Sequence, residues 1–157
     1  MYVCVCVDQV LVSHVVENED NSWYMHVYLQ HSDRLVQLEQ LLDRLDDVYS
    51  ACDDEALVKT LVKYRRGDAV AVCVATIWQR AIVLCDSVGS AQTVKVQCID
   101  YGSVHDVDIG KVRRLHADLM SEPMFAFDCQ LFGVTADVGM NIGFVSNHLV
   151  AVNKQIQ

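Results

Sequence analysis

From Gly67 onward the chain is written in short alternating runs: Ala69 to Ala75, Trp78 to Cys85, Thr93 to Ile99 and Val104 to Ile109. Alternation of apolar and polar residues at period two puts one set of side chains on a buried face and the other in water, the pattern of a half-buried strand. Ser87-Val88-Gly89-Ser90 and Tyr101-Gly102-Ser103 supply turn chemistry between them. Four strands so short and so closely spaced predict a small, strongly bent antiparallel barrel.

Around this segment the text is different. Tyr2 to Val16 alternates with a break near Asp8-Gln9, which predicts one or two strands, and Glu17 to Ser22 is a polar turn. Trp23 to Gln30 alternates again, with Trp23, Met25, Val27 and Leu29 on one face and Tyr24, His26 and Tyr28 on the other. Ser32 is placed to cap a helix with Asp33 in its first turn. Leu35, Leu38, Leu41, Leu42, Leu45, Val48 and Tyr49 then recur at three- and four-residue steps, the stripe of an amphipathic helix facing a core. Ala56 to Tyr64 is a second short apolar piece. Beyond the barrel, Val112 to Met120 reads as a helical turn. Met124 to Val134 reads as a strand with Phe125, Phe127, Cys129 and Leu131 on one face, and Ile142 to Asn153 as a last helix. The expected class is mainly β with α: a bent antiparallel barrel joined by a long amphipathic helix to a second lobe.

Composition narrows the function. The 157 residues are enough for one domain or two small lobes sharing a core. No run of apolar residues is long enough to cross a bilayer, and no signal peptide opens the chain, so a soluble, intracellular protein without membrane contact is expected. Twenty-one acids against twelve bases give a formal charge of -9. A surface of that sign repels a phosphate backbone and attracts basic peptides. Direct nucleic-acid binding would need Lys63-Tyr64-Arg65-Arg66 or Lys111-Val112-Arg113-Arg114, or stacking on Trp23, Tyr24 and Tyr28, and is not expected. Seven cysteines include a Cys4-x-Cys6 pair with no second pair at ligand spacing, and Cys6, Cys73, Cys85 and Cys98 sit in strand-like runs as reduced, buried cysteines do. His14, His26, His31 and Asp33 form no acidic metal constellation, so neither catalysis nor a metal or other cofactor is expected.

Five landmarks fall in a familiar order: Gly67-Asp68 opening a strand, Trp78-Gln79-Arg80-Ala81, Ile99-Asp100-Tyr101-Gly102-Ser103, Val112-Arg113-Arg114-Leu115, and Pro123 before Cys129-Gln130-Leu131. With Val12-Ser13-His14-Val15, Trp23 to Val27 and the leucine helix, they resemble the extended Tudor family, in which a Tudor barrel is embedded in a staphylococcal-nuclease-like OB fold. The resemblance implies a single domain over residues 1–157, with about 1–64 and 121–157 forming the OB-like lobe and about 65–120 the Tudor barrel. It also implies a non-enzymatic reader of arginine-rich tails of PIWI-type Argonautes, in cytoplasmic, perinuclear germline granules (nuage) serving transposon silencing. Family members normally add strands after the last helix; here Met1 to Val7 is the candidate for that vacancy.

Carried over residue by residue, the resemblance pairs Arg80 with Asp100 inside the barrel, gives Gly102 the turn and puts Trp78 in the core. The family's methylarginine cage of aromatics and one asparagine falls here on Cys73, Gln79, Cys98, Tyr101 and Ser103, of which Tyr101 alone is aromatic. At ~0.5 to 2 kcal/mol per ring, such a cage is degenerate. The expected ligand is therefore an arginine-rich tail bound without dependence on symmetric dimethylation, with Asp106 and Asp108 as acidic contacts. The alternative is a scaffold role, by self-association as a homodimer or by binding another Tudor or granule protein, with Tyr2 to Val7 adding to a sheet edge.

Overall fold

The computed structural model describes residues 10–16, 24–51, 63–86, 92–132 and 151–152. They form two antiparallel sheets and one long helix. Strands β1 (Val10–Val16) and β2 (Tyr24–His31) pair as neighbours, and a 3-10 turn (Ser32–Arg34) leads into α1 (Leu35–Tyr49). The barrel follows as β3 (Ala69–Val74), β4 (Ile77–Val83), β5 (Thr93–Cys98), β6 (Val104–Asp108) and β7 (Val112–Arg114), with a 3-10 turn (Ile109–Lys111) between the last two. A one-turn helix α2 (Ala117–Met120), β8 (Ala126–Phe132) and β9 (Ala151–Val152) complete the described elements.

The barrel strands are ordered β6-β5-β4-β3-β7, so the two edge strands are joined by the three residues Ile109–Lys111. A flat five-stranded sheet would hold its edges about 19 Å apart, while a chain crossing three residues reaches at most about 14 Å. The sheet must curl. Its interior is filled by Val70, Val72, Ala81, Val83, Val94, Val96, Cys98, Val107, Ile109 and Val112, with Tyr64 closing one end through an Oη–H bond of 2.9 Å to the Val112 carbonyl. The helix α1 lies outside the barrel and buries Leu38, Leu41, Leu45 and Tyr49 against Ala71, Trp78, Leu119 and Phe125. The second sheet is ordered β1-β2-β8-β9 and buries Val27, Leu29 and Cys129 on one face.

Several expectations are corrected. Val112–Arg114 is a strand, because its backbone pairs with Val70–Val72 across the barrel seam, and only Ala117–Met120 is helical. Ala151–Val152 is not the end of a helix but a strand paired with Gln130 and Leu131; residues 142–150 lie outside the described residues. Ser32 does not cap α1. It starts the 3-10 turn, and neither His31 nor Arg34 makes a side-chain cap bond at the two helix starts. Cys85 is exposed and Cys73 only half-buried, so two of the cysteines in alternating runs are not core residues. The strand expected over Tyr2 to Val7, with its filling of a C-terminal vacancy, lies outside the described residues, as do the polar turn at 17–22, Trp23 and the apolar piece through residue 62.

One turn carries visible strain. The β3–β4 hairpin is closed by Ala75 and Thr76, both left-handed at φ 47° and 72°. Two-residue hairpins of this hand normally use Asn-Gly, because a Cβ, and above all a branched one, is crowded at positive φ. The double substitution Ala75→Asn with Thr76→Gly should stabilise the fold by about 1 to 2 kcal/mol, read as a higher urea midpoint with unchanged m-value; an unchanged or lower midpoint would contradict it.

Candidate functional site

Arg80 stands mid-strand on β4 and Asp100 in the loop after β5, and each is 1% exposed. Arg80 Nε donates to Asp100 Oδ2 at 2.9 Å and Nη2 to Oδ1 at 2.6 Å, a bidentate fork. The remaining guanidinium protons go to main-chain oxygens: Nη1 to Leu119 (2.9 Å) and Glu122 (2.8 Å), Nη2 to Pro123 (3.2 Å). All five donors of the guanidinium are thereby used. Asp100 Oδ1 also accepts the Phe125 N–H at 3.2 Å, and Gln30 Nε2 of β2 donates to the Asp100 carbonyl. The pair therefore ties β4, the β5–β6 loop, the segment after α2 and the second sheet at one point.

The loop itself is folded onto Cys98, whose carbonyl accepts from Tyr101 N–H (3.3 Å) and Gly102 N–H (2.7 Å), while its own N–H donates to Ser103 O (2.9 Å). Gly102 is left-handed, φ +85°, and a Cβ there would lie 2.0 Å from Cγ of Tyr28. Two constraints thus select glycine: the turn, legible in the sequence, and the approach of the Tyr28 ring, which is not. Ser13 sits at an irregularity in the β1–β2 register, so its single Oγ–H is shared between Tyr101 O at 2.9 Å and Tyr28 O at 3.1 Å. Gln97 Nε2 donates to Tyr28 Oη at 2.8 Å and to Gly102 O at 3.2 Å. Sequence reasoning gave Ser13, Gln30 and Gln97 no role at this turn and named Tyr28 only as a stacking face. A tyrosine on the polar face of β2 was the available signal, whereas the irregularity at Ser13 is a register shift that only the paired strands show.

The expected cage positions are distributed as follows. Cys73 and Trp78 are directly opposite on β3 and β4, with Gln79 next to Trp78; Cys73 and Gln79 are half-buried. Cys98 is 0% exposed, inside the barrel core rather than on its rim. Tyr101 is half-buried and wedged between the barrel core and the α1 cluster, and Ser103 Oγ meets His105 Nε2 at 2.9 Å. Trp78 is 8% exposed, packed on Tyr49 with ring centroids 5.3 Å apart, and the Arg113 guanidinium lies 5.9 Å from its ring. Asp106 and Asp108 are exposed on β6, but the register takes them away from the turn: Val104 pairs with Gln97, whereas Asp108 pairs with Thr93 at the far end. The Asp108 carboxylate there accepts the Gly110 N–H at 2.7 Å. The structure does not bring Asp108 to Tyr101. Of the basic runs, Tyr64 and Val112 are core residues. Among the described residues no group of three or more His, Cys, Asp or Glu is placed to hold a metal ion, and no helix is long and apolar enough to cross a membrane.

Burial pushes the Cys98 thiol up from 9.0 to about 11, partly offset by its contact with Ser103, and raises the Tyr28, Tyr64 and Tyr101 phenols. Burial, with Asp128 adding, likewise takes Cys129 to about 11. Such thiols are poor nucleophiles.

Removing either partner of the buried pair leaves the other uncompensated, so Arg80→Met or Asp100→Asn should each cost about 3 to 5 kcal/mol, a large part of a typical domain's stability. Chemical denaturation checks this; a loss below about 1 kcal/mol would mean that the pair behaves as a surface ion pair. The thiol pKa shifts carry a sign. Below pH 9 the Cys98 and Cys129 thiols are protonated in both folded and unfolded chains; between 9 and about 11 the unfolded chain ionises first. Stability should fall as pH rises through that window, and Cys98→Val should lessen the fall; a flat urea midpoint from about pH 8 to about pH 10.5 would contradict it.

A family model for the Tudor domain matches residues 7–133. Among curated protein sequences none matches. The extended Tudor domain of human TDRD1, solved with a symmetrically dimethylated peptide, superposes with a TM-score of 0.59 at 20% identity, over 76% of this chain and 54% of that one. The BmPAPI extended Tudor domain gives 0.62 at 25% identity, over 80% and 68%. Drosophila melanogaster Papi, solved with a methylated Piwi N-terminal peptide, gives 0.61 at 19%, over 77% and 58%. The match thus spans little more than half of the TDRD1 chain. Because the Tudor match runs past both ends of the barrel, into β1 on one side and β8 on the other, the chain belongs to the Tudor domain family and has the extended Tudor fold.

Proposed function

We propose that this chain is a non-catalytic peptide-binding module of a piRNA-pathway scaffold, taking an arginine-rich N-terminal tail of a PIWI-type Argonaute in cytoplasmic, perinuclear germline granules. Its binding does not depend on symmetric dimethylation. One observation carries the second statement: of the five cage positions, Cys98 is enclosed in the barrel core, Cys73, Gln79 and Ser103 offer no ring, and Tyr101 stands alone. A methylated guanidinium is held by several aromatic faces at once, each worth roughly 0.5 to 2 kcal/mol, and the loss of three is worth orders of magnitude in affinity. What remains favourable is charge: a domain at -9 attracts an arginine-rich tail whether or not it is methylated. The Papi domain, which has been solved with both a methylated and an unmethylated Piwi N-terminal peptide, supports this kind of ligand.

A second reading is favoured by β1, which among the described residues stands at the edge of its sheet and exposes Leu11 and Val12 by 48% and 41%. An edge of this kind suits pairing with a second copy or another granule protein.

Calorimetric titration with matched arginine-glycine peptides, one unmodified and one symmetrically dimethylated, tests the proposal. Affinities within about threefold of each other, or favouring the unmodified peptide, are expected, since less than about 1 kcal/mol then separates them. A clear preference for the methylated peptide would overturn the degenerate-cage reading. Binding of neither, with a mass that rises with concentration, would replace it by self-association.

A further inference from the structure

The second sheet turns a different set of rings toward the barrel. His14 of β1 is the cross-strand partner of Tyr28, and His26 lies two residues before Tyr28 on β2, so register alone puts all three on one face. Their centroids lie 6.3 Å (His14–Tyr28) and 5.8 Å (His26–Tyr28) apart. This face is not packed solid. It borders a cavity of about 430 Å³ whose other wall is Gln97, Gly102 and Val104 of the barrel, with Val15 and Val16 along the side. A cavity of that size falls within the usual range for small ligands, roughly 300–1,000 Å³.

The chemistry of the walls selects the occupant. Among the described residues no lysine or arginine lines the cavity. Asp128, across from Tyr28 on β8, is not in the lining but meets His26 Nε2, which puts a carboxylate behind the rings. Gln97 uses its amide nitrogen on Tyr28 Oη and Gly102 O, which leaves its carbonyl oxygen as an acceptor, and the Gly102 carbonyl keeps a second lone pair. Aromatic faces, neutral acceptors and one carboxylate suit a flat, weakly hydrated cation with several donors. That is a guanidinium; a compact, strongly hydrated ammonium fits less well.

We propose that this slot between His14, Tyr28 and His26 on one side and Gln97–Gly102 on the other binds an arginine side chain of the peptide, in place of the degenerate cage around Tyr101. The inference rests on the arginine-tail reading above and names the subsite. Guanidinium donors directed at Gln97 and Gly102 are blocked by methylation, so the slot prefers unmodified arginine, while Asp128, held on His26 outside the lining, contributes its negative charge.

The test titrates the unmodified arginine-glycine peptide into the wild-type chain and into His14→Ala, Asp128→Asn and Tyr101→Ala, each first checked for an unchanged thermal transition. Affinity should fall roughly three- to tenfold for His14→Ala and for Asp128→Asn. A lysine-for-arginine peptide should bind more weakly than the parent. In the wild-type chain, the imidazole resonances of His14 and His26 should move on peptide addition, a readout that needs no variant. Wild-type binding with His14→Ala and Asp128→Asn unchanged and the imidazole signals still would overturn the slot and leave the arginine-tail reading standing, more so if Tyr101→Ala alone weakens it. Absence of wild-type binding would overturn the reading itself.

Discussion

A guanidinium buried in a protein is tolerable only when each of its protons has an acceptor, and Arg80 meets that condition with nothing to spare. Its fork holds Asp100; its other donors reach three main-chain oxygens between Leu119 and Pro123. None of these acceptors is near Arg80 in sequence, so the bonds can be satisfied together only when the barrel, the loop after β5 and the segment leading to β8 are in their final places. Desolvating the pair costs more than its Coulomb attraction easily returns, so the five bonds of Arg80 add less net stability than their number suggests, while removal of one partner alone is costly.

From that point the two sheets are held in register by small contacts with little tolerance. Gln30 reaches the Asp100 carbonyl, Ser13 the Tyr101 carbonyl, and the Tyr28 ring lies where any side chain at 102 would be. Three successive residues of one barrel loop are thus each touched by the second sheet. The loop that carries Tyr101 is therefore also the joint between the two sheets. Asp100, Tyr101 and Gly102 are each fixed by what they hold together.

The position of Cys98 has a packing reason. Cys98 occupies a position enclosed by Val70, Val72, Ala81 and Val96, where a small thiol fills the barrel interior. The rings that the rim lacks are found instead on the facing sheet, where strand pairing aligns His14, Tyr28 and His26 beside a carboxylate and an open space.

Alternation determined the barrel strands, because a period of two in runs closed by turn residues has one common solution; the three- and four-residue leucine spacing determined α1 in the same way. The motif order carried the Arg80–Asp100 pairing. Val112–Arg114 was not legible, since three residues hold less than two periods, and their strand state comes from pairing with β3. The apolar run ending at Val152 could be helix or strand by periodicity, and β8 decided for strand at Ala151–Val152. The sequence by itself determined which segments alternate, while the candidate cage positions came only from the family resemblance. The tertiary structure alone decided that Asp108 lies far from Tyr101, that Gly102 rests on Tyr28, and that the rings of β1 and β2 face the barrel. The physical reason is that those facts depend on register and on contacts between residues about 70 or more positions apart, which no local pattern encodes.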